Sequence, residues 1–209
     1  MYPLADEFFR LAHNDVTGKA RLHAAATGLG LAAALLGELM FIRRIDLQSG
    51  LLRVTDPAPP QDALAHSTLD QLQAQAQNHG VRIWLDFLRR SAYDEVAQRL
   101  WRAGHVRQET SRRLLRQVVT WVPTDVNLAA WPWARLSNSL VRHEPIELPD
   151  IFLIGLAGAT GLDEDLLAGG PATAVQYQRR LIASLPAPMQ ELLAYTHAAV
   201  GDAVLSYRG

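Results

Sequence analysis

The chain has 209 residues, 49% of them apolar and 20% charged, with a formal net charge of −1 and no cysteine. That balance predicts a folded chain long enough to bury a real core, and it excludes wholesale disorder. It also excludes disulfides, thiol catalysis and cysteine-based zinc or iron–sulfur centres, and it fits a reducing compartment.

The start, MYPLADEFFR, lacks a basic segment followed by an apolar run, so no secretory signal is expected. A first helix is expected over residues 5–12, with Phe8, Phe9 and Leu11 inward, then turn chemistry at Asn14-Asp15 and Thr17-Gly18. Residues 24–42 read AAATGLGLAAALLGELMFI, close to the ~20 residues that span a bilayer. The run is mostly Ala and Gly, and Glu38 would be costly in hydrocarbon, so it reads as the central helix of a helical protein, ending at Arg43-Arg44. Residues 45–47 and 51–54 flank Gln48-Ser49-Gly50 as a small hairpin, and Asp56 to Pro60 is a loop.

Helical patterns resume over 62–78 and 81–90. Ser91 with Asp94 resembles a capping box opening a helix whose Ala92, Val96, Leu100 and Ala97, Trp101 share stripes, stopped at Gly104. Residues 105–122 look extended, with a polar tip at 109–113, and Pro123 ends them. Further helices are expected over 127–142, interrupted by Pro132, and over 148–159, 171–185 and 188–207. The expected architecture is mainly α: a single globular helical domain, 1–209, around a central apolar helix, with one or two β-hairpins.

Catalytic motifs fail on spacing. Thr17-Gly18-Lys19 lacks the earlier Gly and the following Ser or Thr of a P-loop, because His13 and Ala20 stand there. Seven scattered histidines make no zinc pattern, and Asp163-Glu164-Asp165 lacks the spacing of a calcium loop. Ser137, Ser139 and Ser184 sit in helical patterns without an esterase turn. No catalytic residue, metal or cofactor is expected, and the chain reads as a non-enzyme. Trp131-Pro132-Trp133 reads as core packing, with an interfacial role as the alternative.

The charge is unevenly spread. Residues 82–116 hold nine arginines (82, 89, 90, 99, 102, 107, 112, 113 and 116) against four acids, a net of +5 in a chain of −1. Such an island calls for an anionic partner. Three readings stand: a solvated helix face, a winged-helix-like nucleic-acid binder using the 105–122 hairpin as its wing, and a membrane surface. Arg112-Arg113-Leu114-Leu115-Arg116 combines charge and apolar side chains in five residues, the pairing that a membrane rewards.

Order and spacing of several stretches resemble the Golgi phosphoprotein 3 family, particularly its bacterial branch. They include Leu4 to Ala12, Asp15 to Lys19, Leu35 to Leu39, Arg44 to Leu47, Asp56-Pro57, Trp84 to Leu88, Val96 to Leu100 and Gly104 to Val106. The resemblance implies a mostly helical domain that binds phosphatidylinositol 4-phosphate at a basic pocket and dips a hydrophobic hairpin into the bilayer. The family's pocket tryptophan falls on His23 and its arginine partner on Ala32; its later basic pair falls on Arg90 and Tyr93. Arg21, Arg82 and Arg89 would add cations around that site, and the inserting tip corresponds to Arg112, Arg113, Leu114, Leu115 and Arg116. Eukaryotic members also grip the tails of Golgi glycosyltransferases. For this chain the expectation is peripheral attachment to the cytoplasmic face of a membrane through anionic phospholipid or phosphoinositide. Membrane-enzyme tails or a second copy are further candidate partners, and nucleic acid is the disfavoured one.

Overall fold

A computed structural model describes residues 3–75, 80–113 and 116–206, with side chains left out at 111–113, 116–118 and 206. Among the described residues the order is α1 (Leu4–Leu11), α2 (Ala24–Phe41), β1 (Ile45–Gln48), β2 (Leu51–Val54), α3 (Ala63–Ala74), α4 (Val81–Leu88) and α5 (Ala92–Arg102). There follow β3 (Val106–Arg113), β4 (Arg116–Pro123), α6 (Val126–Arg142), α7 (Leu148–Thr160), α8 (Asp163–Leu166), α9 (Ala172–Ala183) and α10 (Ala187–Ser206). The fold is mainly α with two antiparallel hairpins, β1–β2 and β3–β4.

Helix α2 is apolar all round because neighbours cover it on every side. It is long and apolar enough to cross a membrane, yet 83% of that window is buried inside the protein, which marks it as a core helix. Helix α1 runs antiparallel to it: the Ala5 amide donates to Glu38 Oε1 at 2.8 Å, and Phe8 lies against Gly30 nearer the start of α2. Helix α7 is also antiparallel, with Phe152 on Gly37 and Thr160 beside Gly30. Helix α4 begins where the Val81 amide donates to the Gly50 carbonyl (2.9 Å) past the end of α2, and it ends with the Arg89 backbone against Gly28. Helix α5 runs the other way. Its Tyr93 stands by Phe9 and His13, while Arg99, two turns on, reaches Asp6 and Glu38.

These directions bring one set of ends together. At one pole lie the end of α1, the 14–23 turn, the start of α2, the end of α4 and the start of α5. The start of α6 joins them, since Leu128 and Ala129 share a small cavity with His13. The β1–β2 hairpin and the start of α4 mark the opposite pole, a length of α2 away, or ~27 Å for 18 residues.

Several local expectations need correction. Ser91 makes no side-chain cap on α5; side-chain caps are made by His23 on α2, Asp62 on α3 and Asp125 on α6. Pro132 does not interrupt α6, which is continuous through it. Residues 109–113 are not a hairpin tip: β3 runs to Arg113, paired with Arg116 at the end of the ladder. Of the tryptophans expected in the core, Trp131 is 54% exposed, whereas Trp133 is half-buried with the Arg21 guanidinium 4.8 Å above its ring.

Candidate anion-binding site

The pole formed by the ends of α1, α2, α4 and α5 gathers most of the cations expected at the site. His23 is the residue before α2, and its Nδ1 accepts from the Ala25 amide at 3.3 Å, so its exposed ring sits at the positive end of the helix dipole. Arg21 is held just upstream. Its Nε donates to the His13 carbonyl (3.1 Å), and Nη2 lies 3.6 Å from Asp15.

Arg89 and Arg90 close α4 on the same side. Gly28 permits this, because a Cβ there would stand 2.7 Å from the Arg89 carbonyl oxygen. Both guanidinium groups turn back to one carboxylate: Arg89 Nε donates to Asp86 Oδ1 at 2.7 Å and Arg90 Nη2 to Oδ2 at 2.9 Å. Those bonds, from Arg89 first and Arg90 second, hold the Asp86 carboxyl below its ordinary range. Tyr93 is half-buried; burial, helped by the charge of Asp94, raises its phenol above the ordinary value, so it remains a hydrogen-bond donor.

Beside this cluster a cleft of about 720 Å³ separates the 16–20 turn and Tyr93 from the hairpin residues Arg107, Glu109, Thr110 and Val119 to Val122. Gly18 seats the turn against β4, adopting φ +66° with the Trp121 carbonyl oxygen where a Cβ would be. Lys19 lines the cleft with no side-chain partner among the described residues. Arg107 lines it too, its Nη2 on Glu109 at 2.8 Å. Neither residue was among those expected at the headgroup site, although Arg107 was counted in the basic island. The cue for Lys19 was its place in the turn that leads to His23, which has meaning only once the turn is seen at the pole.

Other expected residues go elsewhere. Arg82 starts α4, away from the pole, and pairs with Asp202 of α10. Ala32 is fully buried in the middle of α2 and supplies no cation. Arg99, counted in the basic island, is a core residue bound to Asp6, Glu38 and Asp62. Arg112, Arg113 and Arg116 occupy the last ladder positions of β3 and β4, while Leu114 and Leu115 lie outside the described residues. Among the described residues no group of His, Asp and Glu is arranged to hold a metal ion.

Arg21, Arg89, Arg90, Lys19 and Arg107 thus supply cationic hydrogen-bond donors at this pole, with Tyr93 and His23 beside them. No curated protein matches this chain. The family model for Golgi phosphoprotein 3 (GPP34) matches residues 4–204, nearly the whole sequence. The chain belongs to the Golgi phosphoprotein 3 family.

Proposed function

We propose that the chain is a peripheral membrane protein that binds anionic phospholipid headgroups at this pole and anchors itself with the β3–β4 hairpin. The observation that carries the reading is the placement of Lys19, Arg21, Arg89, Arg90 and Arg107 at one end of the molecule, where Lys19 and Arg107 line a cleft walled by the hairpin. Family membership supports it.

The magnitudes explain why two signals are needed. Five cations face four nearby acids, Asp15, Asp86, Asp94 and Glu109, which leaves a net +1. At ~1 kcal/mol per basic residue near an anionic surface, electrostatics alone holds the protein weakly. Burying a leucine is worth about 1.5–3 kcal/mol, so Leu114 and Leu115 entering the acyl region would exceed that contribution. Together the two give firm but reversible attachment. A cytoplasmic leaflet, rich in anionic lipid, is the surface that such a site fits.

Flotation with liposomes tests both halves. Recovery with anionic but not neutral vesicles, reduced in Leu114→Asp/Leu115→Asp, is expected. Equal recovery with both lipids removes the headgroup role; full recovery of the double aspartate variant removes insertion.

A further inference from the structure

Trp131 is a large apolar side chain left 54% exposed, and its place in the fold is fixed from both directions. Two residues before it, Ala129 shares a small cavity with His13, Asn14 and Asp15; two residues after it, the Trp133 ring has the Arg21 guanidinium 4.8 Å from its centre. Two residues are ~3 Å of helix, so Trp131 stands level with the 14–23 turn at the rim of the pole. Ala129, Pro132 and Leu136 take the inward face of α6, while Trp131 lies outward with Asn127, Ala134 and Asn138. A helical side chain leans over the turn before it, and α6 starts at the pole, so the indole leans towards the pole's surface. Val16 and Val126, 58% and 45% exposed, lie on the same rim, because Asp125 joins Asn14 and Asp15 in that cavity. The hairpin flanks the other side of the turn. Strand β3 leaves the end of α5, and by Thr110 it shares a cleft with Tyr93 at the start of α5. At ~3.3 Å per residue the rest of β3 carries the hairpin past the pole.

We propose that Trp131, with Val16 and Val126 beside it, is a second membrane contact, seated in the headgroup zone of the bilayer across the turn from the hairpin. The inference rests on the reading of this pole as a membrane-binding face, and it names a contact that neither the cations nor the hairpin supply. Tryptophan fits the boundary between water and acyl chains, where its ring has apolar surroundings and its N–H still finds a partner. The charge around it suits an anionic surface, since the Arg21 guanidinium lies over the neighbouring Trp133 and Lys19 is in the same turn. A single anchoring hairpin leaves the molecule free to tilt about it. A contact on the other side of the turn holds the pole flat against the headgroups.

The test uses vesicles of a monoanionic phospholipid mixed with a zwitterionic one, with and without bromine on the acyl carbons nearest the headgroup, where it quenches nearby tryptophan. The bound parent should lose emission on the brominated vesicles, and most of that quenching should vanish in Trp131→Phe. Trp131→Ser should partition about tenfold more weakly than the parent, the effect of removing ~60 Å² of apolar contact. That loss should persist at raised ionic strength, where charge contacts fade. Trp101 is 50% exposed at the far end of α5 from Tyr93, so Trp101→Phe and Trp101→Ser should leave quenching and partition unchanged. If Trp131→Ser melts early, the quenching of Trp131→Phe decides alone. Undiminished quenching in Trp131→Phe, parental partition of a folded Trp131→Ser, or an equal loss in Trp101→Ser overturns the inference while leaving the membrane reading intact. A parent dimer that Trp131→Ser dissolves in sedimentation gives this face to a second copy and overturns the inference as well. Failure of the parent to bind the vesicles overturns the membrane reading and this inference with it.

Discussion

Arg99 grips Glu38 with both terminal nitrogens, Nη2 to Oε1 at 3.1 Å and Nη1 to Oε2 at 3.2 Å, and so ties α5 to the last turn of α2. Its Nε takes Asp6 of α1 at 2.8 Å, and Nη1 also takes Asp62, the cap of α3, at 3.0 Å. One guanidinium thus joins four parts of the chain. Burial works against its charge, but Glu38, Asp6 and Asp62 outweigh that and push its pKa up. Arg99→Met strands those carboxylates, and breaking a buried pair in this way costs about 3–5 kcal/mol. Urea unfolding should show that loss.

Three carboxylates share that arginine, and one guanidinium cannot satisfy them all. Burial raises the carboxyls of Glu38 and Asp6, with Arg99 opposing but not cancelling it. A folded-state pKa raised above the unfolded value contributes stability below the ordinary carboxylate range, lost as pH rises through the folded value. Glu38→Gln has no proton to lose. Its thermal stability relative to the parent should therefore improve as pH rises above the ordinary carboxylate range. A constant difference as pH rises would show that Glu38 titrates at its ordinary value.

His13 works in the opposite sense. Its Nδ1 donates to the Phe9 carbonyl at 2.7 Å and its ring stacks on Phe9, while Nε2 is buried without a hydrogen-bond partner. Burial first, and Arg21 second, lower its pKa from 6.5 to about 4, against the Phe9 hydrogen bond. Stability from the neutral ring is complete above 6.5 and drains away as pH falls towards 4. The loss amounts to about 3 kcal/mol at the acid end. His13→Asn keeps a donor for Phe9 but cannot titrate, so its deficit against the parent should shrink over this window in urea unfolding.

Gly18 and Gly104 separate backbone strain from contact. Both have positive φ, +66° and +75°, but a Cβ at Gly104 meets nothing within 4 Å while one at Gly18 falls 2.1 Å from the Trp121 carbonyl oxygen. Gly104→Ala should cost about 1 kcal/mol of conformational strain. Gly18→Ala must also push β4 from the 14–23 turn, so its cost should exceed about 2 kcal/mol, with weaker recovery on anionic vesicles. Equal melting temperatures for the two variants would show that the turn does not depend on this approach.

How much of this was legible follows from the range of each interaction. The core role of α2 could be read because an almost unbroken apolar run and the cost of Glu38 in lipid are local properties. Both hairpins were legible for the same reason, from β-branched residues bounded by turn chemistry. The partner of Glu38 was not, because Arg99 lies 61 positions away and charge counting does not say which helix face a residue occupies. That is why the arginine island read as one surface, when Arg99 is in the core, Arg82 pairs with α10 and, among the arginines whose side chains are described, Arg89, Arg90 and Arg107 join the pole. The resemblance brought His23, Arg90 and Tyr93 to the same end, and the directions of the helices explain it. It could not foresee that Asp86 occupies both neighbouring arginines, since that depends on the last turn of α4.

The central claim is that the α4 arginines at this pole hold anionic lipid. Its most direct test is vesicle partition of Arg89→Ala/Arg90→Ala against the parent at matched ionic strength. The account predicts a loss of roughly tenfold or more on anionic vesicles, from two charges at ~1 kcal/mol each, with unchanged melting temperature because both side chains lie at the surface. Parental binding by the double variant would contradict it.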